Sequence, residues 1–179
     1  KKKKNNEKIL AGLKNQVKKA FHYRKIAASV FSAIFENSKK IFESFDKAQA
    51  ALAATTGQGQ EFNDTLYEVG RQGNLFGVTM EKAGAAIGTL VNETSNLTTL
   101  SKSLQANIGL SVAKMEQLGV STADSAKIFQ NFNQGLGITA SESIEMQKEL
   151  AMAGVSIGIS ASKITKDFNA SLSTLMVYR

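Results

Sequence analysis

A chain of 179 residues is long enough to bury one sizeable core or two small ones. This one has no proline and no cysteine, a single histidine, and 22 Lys or Arg against 15 Asp or Glu, a net charge of +7. The absence of cysteine excludes disulfides, thiolate metal sites and cysteine nucleophiles within this sequence, and the absence of proline removes the strongest helix breaker. The chain is rich in Ala, Lys, Glu, Gln, Leu and Ser, and no run alternates strictly between apolar and polar residues. The expectation is an all-α protein with strand content close to nil.

The first predicted element is a long amphipathic helix over residues 1–54. Read in sevens, one row holds Leu10, Val17, Arg24, Phe31, Ser38, Phe45 and Leu52, and the row three residues on holds Leu13, Ala20, Ala27, Ile34, Ile41 and Ala48. A third row, Phe21, Ala28, Phe35 and Phe42, widens the seam to three positions in seven. That is broader than the two-in-seven seam of a two-stranded coil and calls for several partners. From Ile9 to Leu52 an unbroken helix extends on the order of 65 Å, longer than a small domain is wide. The predicted oligomer interface is Leu10, Leu13, Val17, Phe31, Ile34, Ile41, Phe45 and Leu52, in a coiled-coil-like homo-oligomer, three copies being the first expectation and six the second. Arg24 and Ser38 would set register or copy number, as polar seam residues do.

Charge is concentrated at this end. Residues 1–25 carry ten Lys or Arg against Glu7 alone, a local +9 that leaves the remaining residues at −2. Lys8, Lys14, Lys18, Lys19, Arg24 and Lys25 form the predicted basic surface. Such a block steers toward nucleic acid, an anionic membrane or an acidic protein wall, or simply keeps a helix in solution. The most apolar window, Ile26 to Phe35, covers ten residues, short of the ~20 needed to span a bilayer. Opening on Lys1 and closing on Tyr178 and Arg179, the sequence reads as a piece of a longer chain.

Thr55 to Gln60, TTGQGQ, ends the long helix in a flexible turn. Phe62, Leu66 and Val69 then predict a short connecting helix, so residues 55–75 read as linker and 76–179 as a bundle of shorter helices. In that bundle a phrase of Gly, aliphatic, then Ser or Thr recurs at Gly77-Val78-Thr79, Gly109-Leu110-Ser111, Gly119-Val120-Ser121, Gly137-Ile138-Thr139 and Gly158-Ile159-Ser160. The glycine closes one helix in a left-handed conformation, the hydroxyl caps the next, and the aliphatic residue packs as a staple. Ser121, Thr139 and Ser160 are the predicted caps, with Asp124 and Glu142 placed to complete capping boxes, and helices are expected to start near 80, 122, 140 and 161. At Gly109 a single continuous helix, carrying Leu100, Leu104, Ile108, Val112, Met115 and Leu118 on one face, competes with a break. Core faces are expected at Ile128, Phe129 and Phe132, at Ile144, Met146 and Leu150, and at Ile164, Phe168, Leu172, Leu175 and Met176.

A search for catalytic chemistry gives little. His22 stands in the basic helix with no carboxylate nearby in sequence, and one histidine without cysteine leaves zinc sites and nucleophile–base triads short of members. Glu142 and Glu145 share a helix face, as solvated pairs commonly do. The glycines lack the spacing of a phosphate loop. No enzyme activity, metal or cofactor is expected.

The stretch FQNFNQGLGITASESIEMQKELAMAGVSIGISASKITKDF, residues 129–168, resembles a pattern of tail tape measure proteins of tailed bacteriophages. A helix ends in a phrase like Gly135-Leu136-Gly137-Ile138-Thr139, an acidic helix and an Ala/Gly break follow, and a Ser-Lys-Ile-x-x-Asp-Phe helix closes it, here Ser162 to Phe168. The upstream part, with FDKAQAALAATTGQ, is similar in style. The resemblance implies a very long, mainly helical virion structural protein that lies in the tail tube lumen, sets tail length during assembly in the host cytoplasm, and leaves with or ahead of the DNA at ejection. It implies as partners further copies, the tail tube, and a tail tip or baseplate hub, with non-specific DNA or membrane contact during ejection. The alternative expectation is a membrane-active protein that inserts its basic amphipathic helix into a bilayer.

Overall fold

The computed structural model describes the backbone of residues 2–177 and the side chains of Lys19, His22 and residues 25–174. Every regular element among the described residues is helical: α1 (Lys2–Thr56), α2 (Asn63–Gly73), α3 (Met80–Glu93), α4 (Lys102–Gln117), α5 (Thr122–Gln130), α6 (Ala140–Ser156) and α7 (Ala161–Val177), joined by short 3₁₀ turns and one π-helical turn, Asn131–Gly135. The chain divides into two units, residues 1–43 and residues 44–179.

Residues 2–43 are helical throughout. From Lys25 to Glu43 every described residue is exposed except Ser38, which is half-buried. The Ser38 hydroxyl donates to the Ile34 carbonyl at 2.9 Å, so it is engaged with its own helix.

Residues 44–179 form a packed body. Its main core joins Ala48 and Leu52 from the last turns of α1 to Phe62, Leu66 and Val69 beside and along α2, Ile87 and Leu90 of α3, Ile108 and Val112 of α4, and Phe129 of α5. Two expectations are corrected here. Leu52 is 1% exposed within its own chain and so is occupied by the fold, while Phe45, half-buried, packs against the same core. The predicted linker helix is no linker either: Phe62, Leu66 and Val69 are each 0% exposed, and α2 packs on α3 and α4. A stripe of only three large apolar residues suffices because glycines let neighbours close in. A methyl group built on Gly109 of α4 would stand 3.1 Å from Val69 Cγ2, and one on Gly84 of α3 would stand 3.3 Å from Ala48 Cβ.

A smaller cluster of Ile128, Phe132 and Leu172 ties α5 and the π turn to α7, with Phe168 against the Phe132 ring at 5.6 Å between centroids, tilted by 55°. Met146 was expected in the core, yet it is exposed, since two positions after Ile144 a side chain points to the far side of the helix. Leu118, expected on the buried face of α4, is 52% exposed as the helix ends.

Three buried carboxamides hold the packed body together. Gln105 accepts from the Thr65 hydroxyl at 3.0 Å and donates to the carbonyls of Leu97 and Leu100. Gln147 of α6 donates to the Ser125 carbonyl at 2.9 Å and accepts from Ser111. Asn169 of α7 donates to the Asp124 carbonyl at 3.1 Å and accepts from Asn131. Each satisfies backbone or side-chain groups that burial would otherwise leave without partners.

Candidate functional site

The helix boundaries follow the repeated phrase closely. Helices begin at Met80, Thr122, Ala140 and Ala161, and Gly57, Gly77, Gly119, Gly137 and Gly158 all have positive φ. At Gly119 (φ +81°) the N–H donates to the Glu116 carbonyl and the next N–H, Val120, reaches back to Met115 at 3.1 Å. This is a Schellman closure. Ser121 then caps α5 by accepting from the Asp124 N–H at 3.0 Å, and Ser160 caps α7 by accepting from Lys163 at 3.2 Å. Thr139 and Glu142 make the reciprocal capping box, with the threonine hydroxyl accepting from the Glu142 N–H and the Glu142 carboxylate accepting from the Thr139 N–H and hydroxyl. Those bonds, the hydroxyl first, hold the Glu142 carboxyl below the usual carboxylate range. The expected second box is incomplete. The Asp124 carboxylate accepts from the Ser121 hydroxyl at 2.6 Å, and no bond to the Ser121 N–H closes it, because aspartate is one methylene shorter than glutamate. At Gly109 the chain stays helical through α4, so Leu110 is no staple and Ser111 no cap. A cap without a glycine phrase stands at Ser101, which accepts from Leu104 N–H.

The residues proposed from sequence for assembly fall into three groups. Leu10, Leu13, Val17, Lys8, Lys14, Lys18 and Arg24 lie outside the residues whose side chains are described. Phe31 (78%), Ile34 (58%) and Ile41 (61%) are exposed on α1, as are Ile26, Val30, Phe35 and Phe42 beside them. Lys19 and Lys25 are exposed too. Phe45 and Leu52, in the same sequence row as Phe31, belong to the packed body instead. Seven large apolar side chains within 17 residues are thus open to solvent on one helix. Scattered exposed hydrophobics are ordinary on protein surfaces, whereas a contiguous apolar run on a single element is a surface that a partner, a membrane or a further chain could cover.

His22 is exposed on α1. Glu145 pairs with Lys148 across one turn at 3.6 Å. Glu68 accepts from Arg71 and Gln72, and those bonds, the arginine first, lower its carboxyl to about 2, while the bond to Glu68 raises Arg71. Among the described residues no group of three or more His, Asp or Glu stands close enough to hold a metal ion. Open grooves on the packed body include one of α1 against α3, lined by Ala48, Gly84 and Gly88, one of α2 against α4, lined by Asp64, Glu68 and Lys102, and a third, larger than these, of about 760 Å³ beside α4 and α6. Sequence reading missed the third, whose exposed Phe76 and Met152 fall outside the regular stripes and whose exposed Leu118 was assigned to the buried face of α4.

Comparison with protein-family models, with curated proteins and with solved structures gives no match to this chain.

Proposed function

We propose that this chain is a structural assembly protein without catalytic activity, whose first helix packs against further copies of itself. The observation that carries the reading is the exposed run on α1, with Phe31, Ile34 and Ile41 at its centre. An isolated helix is marginal in water, and most helical stability comes from packing an apolar face. Burying seven such side chains contributes on the order of 10 kcal/mol gross, the same order as the ordering and association costs of a modest oligomer.

The particular assembly we propose is the tail of a bacteriophage, with this chain acting as a tape measure held at the tail tip or baseplate hub and extending into the tube lumen. Residues 129–168 support that form through their resemblance to tape measure sequences, and an extended helical strand with a basic end suits an axial position in a tube. Three copies are favoured by the broad seam, then six. The basic residues, Lys19 and Lys25 among them, would face the tube wall or the DNA through salt-sensitive contacts that carry no base specificity.

The test is the molar mass of the full chain by light scattering, with helicity followed on the same samples. A concentration-dependent trimer or hexamer that dissociates when Phe31, Ile34 and Ile41 are replaced by Asp supports the reading. A monomer at high concentration overturns it. The second reading rests on the same phenylalanines lying on a helix with exposed Lys19 and Lys25. No helix among the described residues is long and apolar enough to cross a membrane, so membrane action would mean lying in the interface. A monomer that gains helicity only with anionic vesicles would select it.

A further inference from the structure

The groove beside α4 and α6 lies wholly within the packed body and plays no part in the reading built on α1. Its floor is apolar, from Leu110 and Met115 of α4 and Ile144 of α6, and its rim carries Phe76, Leu118 and Met152, each more than half exposed. Along α4 the lining runs from Asn107 to Leu118, and along α6 from Ser141 to Met152. Eleven residue steps on each side make about 16 Å, or three helical turns.

Two cations stand over this apolar floor. The Lys114 ammonium sits 3.5 Å from the centroid of the Phe76 ring, and no carboxylate pairs with it among the described residues. Lys148, from the opposite wall, has only the exposed one-turn pair with Glu145, a kind of contact worth little. Burial, and then the nearby Lys148 charge, shift the Lys114 ammonium below its usual range. Glu145 lines the groove beside Lys148, so its walls carry two cations against one carboxylate, a positive excess that an anionic, apolar occupant would complement. The shape selects among such occupants. A small-molecule site encloses most of its ligand, whereas this trough is open along its length and rimmed by exposed side chains. Its methionine at the rim and another on the floor suit a surface that adapts to a helix.

We propose that this groove docks an amphipathic α-helix of a partner protein, about three turns long, whose apolar side chains at i, i+4 and i+7 meet Leu110, Met115 and Ile144 and whose flanking carboxylates meet Lys114 and Lys148. The mode is a helix laid in a groove with charge complementarity fixing its orientation.

The test uses the full chain and two labelled 14-residue helical peptides with leucine at the anchor positions, one flanked by glutamates and the other by lysines, followed by fluorescence anisotropy. The acidic peptide should bind at least about tenfold more tightly than the basic one, with the advantage shrinking as salt rises. Lys114→Glu with Lys148→Glu should invert the preference. Met152→Asp, at a residue already 59% exposed and so compatible with folding, should weaken acidic-peptide binding about tenfold or more with the thermal unfolding of the chain unchanged. Equal binding of the two peptides, binding indifferent to both sets of variants, or no binding of either would overturn the proposal. So would capture of dodecanoate at these residues with neither peptide bound, which would assign the groove to a small amphiphile.

Discussion

The hydroxyl of Thr65 on α2 donates to the side-chain oxygen of Gln105 on α4 at 3.0 Å, and both residues are no more than 2% exposed. Because the Gln105 amide nitrogen also donates to the carbonyls of Leu97 and Leu100, one side chain joins three segments of the core. Replacing Gln105 by Met keeps the volume and removes all of these bonds. The expected loss is about 2–4 kcal/mol, measured by denaturant unfolding. Adding Thr65→Val should recover part of it, since that removes one of the orphaned partners. A double-mutant cycle with zero coupling would show that the bond contributes nothing.

Phe31 and Leu52 occupy one row of the heptad pattern and should give opposite phenotypes. Leu52→Ala opens a cavity in the core and should lower stability by about 2–5 kcal/mol. Phe31→Ala, at a residue 78% exposed, should leave the melting of the packed body within about 0.5 kcal/mol and instead reduce the oligomer mass. Calorimetry and light scattering on the same two variants separate these effects.

Two glycines should fail for different reasons when changed to alanine. A methyl on Gly119 meets nothing within 4 Å, so Gly119→Ala suffers only from its φ of +81°, a cost of about 1–2 kcal/mol. A methyl on Gly154 would stand 2.7 Å from Ile164 Cγ2, so Gly154→Ala should cost about 1–3 kcal/mol through crowding. Ile164→Ala removes the 2.7 Å contact but leaves Cβ at 3.1 Å and the Ile159 carbonyl oxygen at 3.3 Å, so it should relieve part of the cost of the second substitution and leave the effect of the first unchanged, as unfolding titrations of the double variants would read.

Acid should weaken the fold through two carboxylates. The folded-state values of Glu68 and Glu142 both lie below the ordinary glutamate range, Glu68 at about 2 because of Arg71 and then Gln72, Glu142 because of the Thr139 hydroxyl and then its N–H. A depressed folded value means the contribution is present above the unfolded pKa of 4.5 and is lost as pH falls toward the folded value. Both groups are surface-exposed, so the effects are small. The melting temperatures of Glu68→Gln and of the native chain should differ by a constant amount from neutral pH to about pH 5 and converge toward about pH 2. A gap that widens on acidification would contradict this assignment.

Much of the helix pattern was legible because the boundaries are made of local chemistry. Gly119, Val120 and Ser121 carry the closure, the staple and the cap within three residues, so the start of α5 could be placed from sequence. Ser101 was missed because Thr99 and Leu100 precede it with no glycine. The buried amides of Gln105, Gln147 and Asn169 were invisible for another reason: polarity is read as exposure, and their partners lie up to 45 residues away. Glycine also misled. Gly84, Gly109 and Gly154 serve close approach of neighbours inside helices, a use that a search for helix stops does not register. In the candidate sites, the exposed face of α1 was readable as periodicity. That Phe45 and Leu52 leave that face for the core depends on α3 being there to receive them, which no heptad count encodes.

The closures at Gly77, Gly119 and Gly158 have a consequence for how the packed body recovers from disruption. Each is written in hydrogen bonds that reach back no more than five residues, such as Val78 to Gly73, Val120 to Met115 and Ile159 to Gly154. Closing so short a loop takes tens of nanoseconds, whereas the contacts across α2 and α4 must wait for distant segments to meet. A strand drawn out lengthwise and then released would regain its corners first, at the right places and in the right order, and pack its interior only afterwards.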